Sequence, residues 1–83
     1  MKMSAARQSF SHRLRSLRVR MGISQAELGG LCGLHQMEIS HYECGRREPN
    51  LANLRRLVRG TGQSADYFVG TDALRRRQIA EVR

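Results

Sequence analysis

Residues 21–45 read MGISQAELGGLCGLHQMEISHYECG, and this stretch decides the fold. Ser24-Gln25-Ala26-Glu27 has capping-box spacing: the serine hydroxyl can accept the N3 amide while the glutamate reaches back to the cap. A helix therefore begins at Ser24, carries Leu28, Leu31 and Cys32 inward, and stops at Gly33. The pair Gly29-Gly30 falls inside it and weakens it, by about 1 kcal/mol per glycine relative to alanine. Gly29 would repay that by letting a neighbouring backbone approach; Gly30 has no such reason in the sequence. A further helix runs from about His35 to Cys44, with Gly45 just past its end. Ile39 and Tyr42 face inward, and the spacing puts Gln36, Met37, Ser40 and His41 on the opposite face. That outer face has few charges and many hydrogen-bonding groups.

Upstream, Phe10, Leu14, Leu17 and Met21 recur on one helical face, so a first helix spans about residues 9–20, with Gly22 closing it. Downstream, Gly45-Arg46-Arg47-Glu48-Pro49 is a basic loop, and the proline keeps its predecessor out of helix. Asn50 caps a fourth helix that buries Leu51, Leu54, Leu57 and Val58 and stops at Gly60-Thr61-Gly62. Ser64 caps a short fifth helix with Asp66, Tyr67 and Phe68. Gly70 separates this globule, residues 9–70, from a basic tail, residues 71–83. Thr71 or Asp72 can cap a sixth helix there, but Leu74, Ile79 and Val82 make a poor stripe interrupted by Arg75-Arg76-Arg77. A frayed tail is the alternative.

The 83 residues suit one domain with one modest core. With 40% hydrophobic and 5% aromatic residues and no Trp, the chain is an all-α bundle rather than a β-sandwich. Its formal charge is +8, carried almost wholly by arginine, since Lys2 is the only lysine. Such an excess on a small domain points to a polyanionic partner. Arginine suits that task because its planar fork donates two parallel hydrogen bonds to phosphate or guanine. No apolar run reaches the length of a membrane span, so no membrane partner and a cytoplasmic location are expected, with Cys32 and Cys44 reduced.

Two rival chemistries fall away. Cys32-x-x-His35 and His41-x-x-Cys44 suggest zinc, yet the five residues between the pairs are too few for a finger, and Cys32 faces the core while His41 faces out. No glycine-rich phosphate loop, carboxylate pair or nucleophile–base set marks an enzyme, and no cofactor is expected.

From Arg13 to Gly70, roughly 58 of the 83 residues, the chain resembles the XRE-type helix-turn-helix domain of the phage repressor and Cro family. The resemblance rests on MGISQAEL, a following Gly-Leu, I-S-x-Y-E-x-G, R-x-E-P-N-L and S-A-D-Y-F, five ordered elements at family spacing. It implies a five-helix lambda-repressor-like fold. The second and third helices form the motif, and the third enters the major groove. It also implies double-stranded DNA as partner, a homodimer on a pseudo-palindromic operator, and a repressor.

By the same resemblance Gln36, Met37 and His41 read bases, with Ser40 near enough to help. The glutamine amide can pair with adenine in bidentate fashion, and Met37 can pack on a thymine methyl. Gln25, His35, Arg46 and Arg47 are expected at phosphates, the last two as backbone clamps. Arg18 adjoins the apolar stripe of the first helix, where a charge needs a partner. Family members pair an Arg and a Glu there, so Arg18 and Glu43 are assigned to fold support. Dimer contacts are expected around Tyr67, Phe68 and Val69, although the monomer core competes for Phe68.

The chain departs from the family in three places. His35 stands where Ser or Thr often starts the third helix, and it is a poor N-cap by type. Cys44 replaces a residue that often contacts phosphate. Glu38 is repulsive near phosphates unless it accepts from a cytosine amine. Two other functions use the same domain. An antitoxin would neutralise a toxin protein through the Leu74–Val82 tail; an activator would touch RNA polymerase.

Overall fold

A computed structural model describes residues 9–70. The sixth helix and the toxin-binding segment expected in residues 71–83 lie outside these described residues. Five helices follow one another: α1 (Phe10–Met21), α2 (Gln25–Cys32), α3 (Gln36–Glu43), α4 (Leu51–Thr61) and α5 (Ala65–Val69). There is no strand among the described residues, so the arrangement is all-α, with the five helices that the resemblance implies.

Each helix starts on a side chain that accepts an otherwise orphaned backbone N–H. Ser9 accepts from His12, Ser24 from Glu27, His35 from Met37, Asn50 from Asn53, and Ser64 from Tyr67. At the other ends, α1, α2 and α4 terminate on Gly22, Gly33 and Gly62, all left-handed.

The core draws on every helix. Leu14 and Leu17 of α1, Leu28 and Cys32 of α2, Ile39 and Tyr42 of α3, Leu57 of α4 and Phe68 of α5 are buried, together with Leu34 from the α2–α3 turn. Phe10 lies against Tyr42 and Phe68, with ring centroids 5.9 and 6.0 Å away. Burial holds the Cys32 thiol above its ordinary pKa. No helix among the described residues is long and apolar enough to cross a membrane.

The structure corrects several expectations. Met21 and Leu31 are exposed rather than inward-facing, and so is Leu51, at 63% of its surface. The reason is narrow contact: α2 meets α3 and α4 through Leu28, Gly29 and Cys32, leaving Leu31 on the outside. α4 does end within Gly60-Thr61-Gly62, as expected, with Thr61 its last residue and Gly62 its cap. A Cβ at position 60 would lie 2.6 Å from Cys32 Sγ and 2.8 Å from the Leu31 carbonyl, so Gly60 lets α4 cross α2 at close range. Gly29 does likewise at the motif turn, where a Cβ would sit 2.5 Å from the Leu34 carbonyl. Around Gly30 the space is open.

Candidate nucleic-acid interface

The outer face of α3 forms because its inner face is anchored. Ile39 is fully buried, and buried Tyr42 accepts a hydrogen bond at its hydroxyl from Asn53 Nδ2 at 2.8 Å. The helix therefore cannot rotate without breaking core contacts. On the far side Gln36 and Met37 are exposed, while Ser40 and His41 are half-buried behind them. Met37 stands out with 57% of its surface in solvent although it is apolar. The face thus offers one amide, one thioether, one hydroxyl and one imidazole.

The start of α3 corrects the view of His35 as a poor cap. Its Nδ1 accepts the Met37 N–H at 3.1 Å, and Glu38 Oε1 accepts the His35 N–H at 3.4 Å. An imidazole nitrogen here replaces the hydroxyl of a capping box. Because Nδ1 is the acceptor, the neutral ring carries its proton on Nε2. Glu38 is thereby engaged at the helix start. The sequence signal is the three-residue spacing from His35 to Glu38, the same as from Ser24 to Glu27.

The end of α3 is tied down from two helices, α1 and α2. Glu43 accepts from Arg18 Nε at 2.6 Å through Oε2, and from Arg18 Nη2 at 3.0 Å through Oε1. The Glu43 side chain is only 4% exposed. Arg18 Nη1 also donates to the Ile23 carbonyl at 2.9 Å, binding the α1–α2 loop into the same cluster. The hydrogen bond to Glu43 raises the Arg18 guanidinium above its ordinary pKa, against the opposing effect of burial, so the guanidinium stays charged. Gln25, the first residue of α2, joins it: its Nε2 donates to Glu43 Oε1 at 3.1 Å. Sequence reasoning misses this last bond, because nothing local connects positions 25 and 43.

The basic loop is fixed to the same helix. The backbone N–H groups of Arg46 and Arg47 both donate to the His41 carbonyl, at 3.0 and 3.4 Å. Both arginine side chains are exposed just beyond α3. Cys44 is exposed at the helix end, whereas Cys32 is in the core. Among the described residues, no three His, Cys, Asp or Glu side chains gather as a metal site would require.

The residues expected at a dimer contact divide. Phe68 lies wholly inside the monomer, which removes it from that role. Tyr67 and Val69 are half-buried. The Tyr67 hydroxyl donates to the Arg13 carbonyl at 3.0 Å and accepts from Arg20 Nη2 at 2.9 Å, so it braces α5 on α1.

Residues 9–67 match the family model described as a helix-turn-helix domain. The chain is 34% identical over 65 residues to a SPbeta prophage-derived uncharacterized HTH-type transcriptional regulator, YonR, of Bacillus subtilis. That match covers 77% of this chain and 60% of the relative's length. Among solved structures, the P22 c2 repressor in complex with a synthetic operator is similar at TM-score 0.72 and 34% identity, over 77% of this chain and 97% of that one. The restriction-modification controller protein C.AhdI from Aeromonas hydrophila is similar at TM-score 0.67 and 32% identity, over 71% of this chain and 86% of that one.

Proposed function

The chain belongs to the helix-turn-helix domain family, whose fold is that of DNA-binding transcriptional regulators and not of enzymes, and from that premise we propose that it is a sequence-specific repressor. It binds double-stranded DNA with α3 in the major groove, as a homodimer on a pseudo-palindromic site. Half-sites are then about one helical turn, ~34 Å, apart. The carrying observation is the anchored outer face of α3, with Gln36 and Met37 exposed and Arg46 and Arg47 directly beyond it. The P22 c2 repressor, which this fold resembles, was solved in complex with a synthetic operator, and that supports operator binding here.

Roles divide by chemistry. Gln36 pairs with a base edge, Met37 packs on a thymine methyl, and Ser40 and His41 supply further hydrogen bonds. Gln25, His35, Arg46 and Arg47 hold phosphates. The Nε2–H of His35, left over after capping, is the donor for that contact. Tyr67 and Val69 remain as candidate dimer contacts.

The test is selection of bound duplexes from a random pool by the purified protein at moderate salt. A two-fold symmetric motif is expected, and binding to it should weaken steeply with added salt through counterion release. Gln36→Ala should flatten preference at one base pair of each half-site, a loss of about 1–3 kcal/mol in discrimination. Arg46→Ala should lower affinity for all sequences alike. Salt-sensitive binding with no recovered motif would remove α3 as a reader and sink this reading.

A further inference from the structure

We propose that Glu43 is a positioning residue for DNA binding: it fixes the Gln25 amide so that this amide presents a donor to the phosphate backbone. This deepens the reading of Gln25 as a phosphate contact and rests on it. A glutamine amide has two nearly isosteric orientations, one offering N–H and the other a carbonyl oxygen. Only the first is attractive to phosphate. A free glutamine at a helix start would sample both and would lose side-chain entropy on binding.

Here the orientation is set by charge. Glu43 Oε1 takes a hydrogen bond from Gln25 Nε2 at 3.1 Å, and a carboxylate can only accept. A flipped Gln25 would direct its carbonyl oxygen at that carboxylate, so the flip is excluded as long as Glu43 is ionised. Nε2 carries two hydrogens, and the bond to Glu43 uses one; the second is left for a ligand. The carboxylate itself cannot swing away, since Arg18 holds both its oxygens at 2.6 and 3.0 Å and its side chain is 4% exposed. Gln25 is half-buried, which further restricts its rotation. The Arg18–Glu43 pair thus does more than join α1 to α3. It transmits the placement of the end of α3 to the first residue of α2, the other helix of the motif.

A double-mutant cycle separates positioning from mere fold support. The variants are Glu43→Gln, which still offers Arg18 an acceptor but no longer dictates the Gln25 orientation, Gln25→Met, which has similar length and no donor, and the double variant. Affinity for the selected duplex is measured for all four proteins at a temperature where circular dichroism shows each fully folded. Glu43→Gln should weaken binding about tenfold when Gln25 is present and less than about twofold when Met replaces it, tenfold being the scale of one hydrogen bond. Because every protein is fully folded at that temperature, stability coupling through the Gln25–Glu43 bond does not enter the affinity ratio. If Glu43→Gln weakens binding by the same factor in both backgrounds, Glu43 acts through the fold alone and the proposal fails. If Gln25→Met leaves affinity unchanged, Gln25 touches no DNA and the proposal fails with it. Absence of duplex binding by the unmutated protein would instead overturn the functional reading beneath both.

Discussion

The two ends of α3 are built on different principles. Its start is closed by its own near neighbours: His35 caps Met37 and Glu38 returns to His35, all within four exposed or half-buried positions. Its end is closed from a distance, by Arg18 of α1 and Gln25 of α2 converging on Glu43, with the α1–α2 loop held through Ile23. The first arrangement is short-range and wet. The second is long-range and shielded. A helix held this way has its axis fixed at one end by tertiary structure, while its first turn, carrying Gln36 and Met37, depends on local capping. Of the residues proposed to read bases, Gln36 and Met37 thus sit on the locally capped end, whereas Ser40 and His41 sit toward the end held by tertiary contacts.

The largest effect should come from the shielded end. Glu43→Ala leaves the Arg18 guanidinium partly buried without its carboxylate, and should reduce stability by about 3 kcal/mol, read from chemical denaturation. A loss below about 1 kcal/mol would mean that the two ends are equally local after all.

At the open end, His35→Ala should cost about 1 kcal/mol, the usual worth of a cap. His35→Ser should recover most of it by supplying a hydroxyl acceptor. Failure of the serine variant would show that the ring does something other than cap.

Smallest of all, Gly30→Ala should stabilise the protein by roughly 0.5–1 kcal/mol, since a methyl there meets nothing within 4 Å. If the region leading into His35 is governed locally, the Gly30 and His35 changes should add.

The same contrast explains what could be read from the chain alone. Short-range features are legible: the Ser24–Glu27 box, the caps at Asn50 and Ser64, and the left-handed glycines all follow from residues a few positions apart. Helix order and fold class follow from them. Distance-dependent features are not legible. An eight-residue helix such as α2 leaves its apolar positions ambiguous, so Leu31 reads as core and proves exposed. Gly60 reads only as part of the segment that ends α4, and nothing nearby in sequence reveals Cys32 against it. The bond from Gln25 to Glu43 belongs to this class too. His35 is a different miss: the spacing is visible, and only the residue type obscures its capping role.

The unequal surroundings of the two cysteines make the protein a ready optical reporter. Cys32 is shut in the core with its thiol shifted toward the unreactive neutral form, whereas Cys44 is open at the last turn of α3. A thiol-reactive fluorophore applied briefly near neutral pH should therefore label one atom of the folded chain, beside Arg46 and Arg47, with no engineered handle. Its emission would register the arrival of a duplex in real time, and delayed labelling of the second thiol would count how often the bundle opens.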